Sequence, residues 1–568
     1  MEPLHWVADS LRKNPELAIF LTLSLGYWIG GRKLGRFSLG AVTGTLLVGV
    51  VVGQLGIDIS PNVKSVFFLM FLFAVGYGVG PQFFRGLKSD GLPQVLFAVV
   101  ICVLCLLVTW ACAVVAGFDA GTAAGLLSGA QTISAVIGVG TDTINGLNLP
   151  PDQKKAMVDH IPVAYAVTYI FGTAGTAWIL ASLGPRMLKV DLAAACRAYE
   201  AKMGRSEAEG LTAYRMFTAR TYRLDEPGRV GGTVGSLEAM FATAGNWRVF
   251  VQRVHRGDRI LDTGPDTRLE VGDVLALSGR HEALVAASNR AGAQEVDDPA
   301  LLKTPVQVLD VVLTNKAVAG KTIAEIAEDE AFRELGRGVF LRKVVRANQE
   351  MPLVPGLQLD RGDRLMLAGG KAEVDRLAER LGYPDRPTTQ TDMVFVGAGI
   401  VIGGLIGLLA IHVGGVPISL STSGGSLILG LVFGWLRATR PTFGRIPDSA
   451  LWFMNSVGLT AFIAVVGITS GPKFVAGLKA LGLPLFIAGI VATSLPMFAG
   501  VYLGKYVFKF DPAINLGVNA GARVTTAALG QITDVAKSQV PALGYTIPYA
   551  ISNTLLIIWG IVIVLLMH

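Results

Sequence analysis

Four cysteines and six histidines in 568 residues leave little material for a disulfide framework, a zinc site or histidine-based catalysis. Cys102, Cys105 and Cys112 fall on one face of an apolar run, so the C-x-x-C at 102–105 reads as helix packing. No second ligand pair accompanies it, as a zinc site would require. The histidines (His5, His160, His255, His281, His412, His568) are scattered, and no nucleophile is paired with a base. No catalytic residue, metal or cofactor is expected, and His160, beside Pro162 at the start of an apolar run, reads as a capping or interfacial residue. Charge is scarce as well, but only outside the middle. Residues 191–390 hold 28 Lys/Arg and 29 Asp/Glu, whereas the other 368 residues carry 21 and 13. The flanks are therefore too apolar for soluble domains. Their basic excess argues for positively charged loops beside a membrane and against nucleic-acid binding.

What the flanks have is length of apolar chain. Runs near 17–31, 39–56, 64–80, 92–116 and 157–183, and again near 392–411, 419–436, 451–470, 483–504 and 543–567, approach the roughly 20 residues a bilayer core needs. The mixed-charge start (Glu2, Asp9, Arg12, Lys13, Glu16) precedes a first run that reads as a retained helix rather than a cleaved signal.

The two apolar blocks repeat one another. Ser38, Leu39, Gly44, Gly49 and Gly53 return as Ser419, Leu420, Gly425, Gly430 and Gly434. Gly76, Gly80, Pro81, Phe83, Gly86, Leu87, Lys88, Gly91, Leu92 and Pro93 return as Gly467, Gly471, Pro472, Phe474, Gly477, Leu478, Lys479, Gly482, Leu483 and Pro484. Phe118, Asp119, Gly125, Gly129, Ala130, Gly138 and Asp142 return as Phe510, Asp511, Gly517, Gly521, Ala522, Gly530 and Asp534. Duplicated halves of this kind mark secondary transporters. The expected fold is a polytopic α-helical membrane protein with two inverted repeats, each of about five spans plus one re-entrant or broken Gly-rich segment. A soluble α/β insert lies between them. The basic loop from Arg32 to Arg36 is predicted to be cytoplasmic, which puts the insert inside and both termini outside. Lys473 and Lys479 then fall outside, against the charge rule.

The chemistry is expected in the Gly-rich stretches 121–141 and 513–533. Gly129, Ala130, Gln131, Thr132 and Ser134 answer to Gly521, Ala522, Arg523, Thr525 and Thr526. Glycine lets a helix break and so frees backbone donors for a ligand, although small residues at this spacing also simply pack helices. Arg523 replaces neutral Gln131, and a guanidinium inside a membrane needs either a substrate carboxylate or an internal acid such as Asp534 or Asp142. Asp142 and Asp534 could otherwise be proton sites or caps. Gly80-Pro81 and Gly471-Pro472 are read as closing apolar spans, with a gate or hinge as the functional alternative to simple helix termination. Two lures are set aside. Ala74 to Gly78 resembles a potassium filter, but its copy (Val465 to Thr469) does not. The glycines at 397, 399 and 403 resemble a dinucleotide fingerprint but lie within an apolar run.

The insert reads as alternating strands and helices in two modules, near 210–290 and 303–383. The stretch Arg268 to Leu277 matches Gln358 to Leu367, and Gly231 to Val234 matches Gly320 to Ile323. The domain reading is a first repeat over 1–190, modules over 191–300 and 301–390, and a second repeat over 391–568. Paired modules of this kind suggest a regulatory ligand at their interface or a purely structural role in dimerisation.

Together these motifs resemble the aspartate–alanine exchanger family of bacterial transporters, and the modules are similar to RCK (TrkA) C-terminal lobes. The resemblance implies exchange of L-aspartate for L-alanine across the bacterial cytoplasmic membrane, with Gln131, Thr132, Ser134, Arg523, Thr525 and Thr526 as substrate contacts. A homodimer is also expected. A succinate or glutamate exporter of the same architecture is the nearest alternative, and an RCK-gated cation channel a more distant one.

Overall fold

In a bilayer a long apolar segment can satisfy its backbone only as an α-helix or within a closed barrel. Without the alternating pattern of barrel strands, these flanks form helices. The computed structural model describes residues 2–568 apart from 35–36, 39, 88–90, 204–216, 226–231, 246–248, 281–282, 287–292, 303–305, 347–348, 386–389, 414–415 and 441–443. Gly35, Arg36, Leu39, Lys88, Gly231 and His281, with residues 210–216, 287–290 and 303–305 of the insert modules, lie outside the described residues. The chain divides into two compact units. The first comprises Met1–Tyr199, Arg346–Pro352 and Pro387–His568, and the second Glu200–Val345 and Leu353–Arg386.

The principal helices of the first unit are numbered here α1 to α14. Its N-terminal part holds α1 (Glu2–Lys13), α2 (Pro15–Gly30), α3 (Gly40–Gly53), α4 (Pro61–Gly86), α5 (Leu92–Ala116), α6 (Ala120–Ala130), α7 (Ala135–Gly146) and α8 (Pro151–Trp178). A π-helical turn at Ile179–Leu183 and a short helix Gly184–Leu188 continue α8. Its C-terminal part holds α9 (Met393–Gly407), α10 (Ser421–Thr439), α11 (Asp448–Tyr506), α12 (Pro512–Ala522), α13 (Thr526–Ala536) and α14 (Val540–Leu566). Among the described residues, five helices are long and apolar enough to cross a membrane: α4, α5, α8 with its continuation, α11 and α14.

Two expectations are corrected here. Neither Gly-Pro pair closes a helix: α4 runs five residues past Pro81, and Pro472 lies inside α11, as do Pro484 and Pro496. Accordingly the runs 451–470 and 483–504 are one 59-residue helix rather than two. A proline removes one backbone bond but keeps a helical φ, so neighbouring packing can carry the helix through it as a kink. The local sequences explain why the copies differ. Where the first block reads Ser89-Asp90 the second reads Ala480-Leu481. Ser and Asp compete for backbone bonds, whereas Ala and Leu are strong helix formers.

The glycines of the pairs are packing points, and they pack crosswise. Gly76 and Gly80 of α4 lie against Gly430 and Leu431 of α10, and Gly434 lies against Tyr77, while Gly467 and Gly471 of α11 lie against Gly49 and Gly53 of α3. A Cβ built on Gly467 would stand 3.1 Å from the Cα of Gly49, and one on Gly430 would stand 3.1 Å from the Cα of Gly76. Helix axes approach this closely only where both partners are small. Each Gly-Pro helix is thus seated on a helix from the other half of the chain.

The second unit contains two antiparallel sheets. The first is ordered β3-β2-β4-β1-β5, from β1 (Phe217–Leu224), β2 (Phe250–Arg256), β3 (Arg259–Asp262), β4 (Val274–Arg280) and β5 (Ala293–Glu295). The second contains β6 (Val306–Leu313), β7 (Val339–Arg346), β8 (Arg364–Gly370) and β9 (Gly382–Pro384) in the order β7-β8-β6-β9, which parallels β2-β4-β1-β5. Corresponding register shifts occur where β2 pairs with β4 and where β7 pairs with β8. The isolated bridges Thr233–Arg268 and Thr322–Gln358 also correspond.

Leu237, Phe241, Val251, Leu275 and Leu277 build the core of the first sheet. At its edge Arg256 grips the buried Asp273 with two bonds of 2.8 Å, from Nε to Oδ1 and from Nη2 to Oδ2, and reaches Glu270 at 2.6 Å. The sheets meet through Phe250 and Phe340, 5.9 Å apart in a T-shaped pair, and through Arg337, which donates to Glu238 at 2.7 and 2.9 Å.

Candidate functional site

Each Gly-rich stretch is a pair of short helices with a non-helical break between them. In the first, α6 ends at Ala130 and α7 begins at Ala135; in the second, α12 ends at Ala522 and α13 begins at Thr526. Each break turns on a β-branched residue in the left-handed region, Thr132 (φ 56°) and Val524 (φ 55°). That conformation costs an L-residue roughly 1–2 kcal/mol. Two such turns at matching places mean that the surrounding packing, not local preference, holds the breaks. Val524→Gly should therefore raise the thermal stability of the purified protein, by about 1 kcal/mol after allowing for the extra freedom glycine gives the unfolded chain. A fall in melting temperature would show that the Val524 side chain contributes more by packing than it loses by strain.

The breaks touch. Arg523, 1% exposed, donates from Nη2 to the carbonyl of Ala130 at 2.6 Å and from Nη1 to that of Thr493 at 3.2 Å. In return the Thr132 hydroxyl lies 3.5 Å from the carbonyl of Arg523. Ala130 is the last residue of α6, so the guanidinium sits on the carbonyl end of that helix, where the helix dipole favours a cation. The Thr493 hydroxyl supports the same carbonyl at 3.2 Å. Gln131, fully buried, donates from Nε2 to the carbonyl of Ala492 at 3.1 Å. That carbonyl is free because its ordinary helical donor would be the nitrogen of Pro496, which carries no hydrogen.

Two polar atoms at this junction, Nε of Arg523 and Oε1 of Gln131, are buried and have no hydrogen-bond partner. An unsatisfied donor on a buried cation is costly, and a carboxylate is the group that matches a guanidinium edge. Among the described residues no carboxylate pairs with Arg523. The acids considered as partners are elsewhere: Asp142 accepts from the Ser423 hydroxyl at 2.6 Å, and Asp534 is exposed.

The remaining expected residues divide. Ser134 bonds the hydroxyl of Tyr165 on α8 at 2.8 Å, which fixes the far end of the first break. Thr525 is buried and accepts from the backbone of Ala528 at 3.4 Å, which makes it the N-cap of α13. Thr526 is exposed. Gly129 and Gly521 seat their helices: a Cβ on Gly129 would meet Thr168 and the Tyr165 carbonyl of α8, and one on Gly521 would meet Tyr545 of α14.

Three participants are not evident from the sequence. Cys105, placed above on a packing face, lies with Sγ 3.7 Å from Nη1 of Arg523. Thr493 and Tyr165 sit in apolar runs, and only Pro496, a proline in mid-span, signals that α11 has a carbonyl to offer. Lys473, the exception to the charge rule, lies 2.9 Å from a carboxylate oxygen of Asp159 on α8. A paired lysine need not follow the loop statistics.

Comparison with known proteins agrees with a transport role. The Asp-Al_Ex family, described as a predicted permease membrane region, matches residues 18–184 and 395–565. The chain is 48% identical to an uncharacterized transporter of Shewanella oneidensis, over 99% of this chain and all of the relative. An uncharacterized transporter of Bradyrhizobium diazoefficiens is 41% identical over 91% of this chain and all of the relative. One of Bordetella parapertussis is 38% identical over 98% of each. No solved structure gives a significant match. The residues that build both breaks fall within the matched regions, and the chain belongs to the Asp-Al_Ex family of multi-pass membrane permeases.

Proposed function

We propose that this protein is a secondary antiporter exchanging L-aspartate for L-alanine across the bacterial cytoplasmic membrane. The carrying observation is Arg523: a fully buried guanidinium at the meeting point of two broken helices, held among the described residues by carbonyls and a thiol, with Nε unsatisfied. In this reading a substrate carboxylate is received at the Nε edge of the guanidinium, while the Ala130 and Thr493 carbonyls hold its other nitrogens. Gln131, Thr132 and Ser134 complete the site from the first break.

The halves are read as inverted repeats, with Gly80-Pro81 and Gly471-Pro472 at the crosswise helix contacts where the halves would shift. The second unit is read as two cytoplasmic RCK-C-like modules with a regulatory ligand, and the protein as a homodimer with its termini outside. Exchanging an aspartate anion for zwitterionic alanine moves one net charge, worth about 2.3 kcal/mol per 100 mV.

The test is uptake of labelled L-aspartate into proteoliposomes of the purified protein loaded with L-alanine, L-aspartate, succinate or nothing. Uptake that requires internal alanine or aspartate, and that responds to an imposed potential with alanine inside, is the expected result. Uptake driven by succinate alone would overturn the amino-acid reading in favour of a dicarboxylate exporter with the same carboxylate grip.

A further inference from the structure

A second cluster of ionisable groups lies at the other end of α6, away from the break. Asp119 is the N-cap of that helix: its Oδ1 accepts from the backbone of Thr122 at 2.7 Å. Its second oxygen, Oδ2, lies 2.6 Å from Nδ1 of His160 on α8. The next residue back, Asp159, makes the 2.9 Å pair with Lys473 of α11. These are the charged groups that act on His160: Asp119, Asp159 and Lys473. Counting formal charges, two carboxylates and one ammonium sum to −1, and the set is neutral only when His160 carries a proton. The carboxylates of Asp159 and Asp119 are 11% and 29% exposed, so a net charge left on them costs more than it would in open water, and the histidine side chain, 36% exposed, leaves room for a proton to arrive.

The place of this cluster matters. Beyond the backbone packing of its glycines on α8, the first Gly-rich segment is tied to that helix by two side-chain bonds, to His160 at its start and to Tyr165 at its break, five residues apart. A Cβ on Gly121, two residues on from Asp119, would collide with the backbone of Met157, so the start of α6 lies directly on α8. The tyrosine anchor is a bond between two hydroxyls, whereas the histidine anchor titrates. At the corresponding place in the second half Asp511 caps α12 by accepting from the backbone of Ala513 at 2.9 Å, and the position answering to His160, before the Ile547-Pro548 pair, is Thr546.

We propose that Asp119, His160, Asp159 and Lys473 form a proton-binding site that latches the first Gly-rich segment to α8, so that substrate binding at the breaks is linked to uptake of one proton at His160. Linkage gives the sign. If the seated segment favours the protonated set, protonation favours the seated segment and the apparent affinity for its substrate. Affinity then falls as pH rises through the range in which an imidazole loses its charge, about pH 5 to 8.

The experiment has two arms on the full-length protein. In the first, hydrogen exchange of the backbone of residues 120–125 is followed against pH without substrate, so it does not depend on the identity of the cargo. Protection should decline with rising pH in the wild type, and His160→Gln should flatten the dependence. In the second, the half-saturating concentration of L-aspartate in proteoliposomes should rise about fivefold across that range, a pH dependence that the variant lacks. Asp119→Asn, which keeps a capping oxygen but removes the charge, should behave like His160→Gln in both arms. A wild-type pH profile retained in folded His160→Gln, or a wild type with no pH dependence of protection, would overturn the latch. Loss of aspartate transport with the exchange arm intact would count against the proposed substrate and not against the latch.

Discussion

Arg523→Lys should lower exchange of labelled L-aspartate by about 100-fold while the protein remains folded and monodisperse. Truncating one partner of a buried, hydrogen-bonded charge pair costs about 2–5 kcal/mol, and about 3 kcal/mol corresponds to 100-fold in affinity. Lysine keeps the positive charge on the carbonyl end of α6, so the helix dipole stays compensated. It loses the flat fork that can hold two carbonyls and still offer an edge to a carboxylate. Arg523→Ala would be harder to interpret, because it strips both the Ala130 and Thr493 carbonyls of a donor and leaves the Thr493 hydroxyl as the remaining side-chain donor to Ala130. Near-normal affinity in the lysine variant would mean that the charge alone matters and that the fork does not grip substrate.

Arg256→Ala should produce the largest stability change in the second unit, a loss of about 3–5 kcal/mol. The loss comes from what is left behind. Asp273 is 1% exposed, and without the guanidinium its carboxylate keeps, among the described residues, the backbone bond from Glu270 at 2.8 Å. The pairing also works in the other direction, since the bond to Asp273 raises the guanidinium pKa above its ordinary value. Set against a typical total of about 5–15 kcal/mol for a domain, the change is large enough to expose the unit to protease at growth temperature. Limited proteolysis of the full-length protein against temperature reads it directly, with cleavage between residues 217 and 295 expected first. Arg256→Lys should recover only part of the loss, because an ammonium cannot make both bonds to Asp273. Unchanged cleavage in the alanine variant would show that water takes over the role of the arginine.

The sequence made some of this site legible and hid the rest, for physical reasons. Local composition placed the apolar helices and the Gly-rich stretches, because a bilayer-length run and a cluster of small residues are local signals. It also marked Arg523, since a lone guanidinium in an apolar repeat stands out against its neutral copy Gln131. The partners of Arg523 were hidden, because Ala130, Thr493 and Cys105 come from three other helices and two of them contribute only carbonyls, which every residue has. The Gly-Pro pairs misled because proline reports a missing hydrogen and says nothing of whether neighbours will hold a helix through it. Crosswise glycine contacts do hold α4 and α11, and those contacts join residues roughly 350–420 positions apart. Lys473 looked anomalous until Asp159 was placed beside it.

The unbroken course of α11 has a mechanical consequence. Lys473, tied to Asp159, and Thr493, whose carbonyl holds Arg523, stand twenty residues apart on one helix, about 30 Å at the helical rise. A rod of that kind transmits torque: rotation imposed at the Lys473 end reaches the arginine unless it is absorbed on the way. The proline between them, Pro484, is the one joint where that torque can be released. The first half, whose α4 stops at Gly86, has no such shaft. The two halves, alike in sequence, would then play different parts in the cycle, one as the driven lever and the other as the bearing.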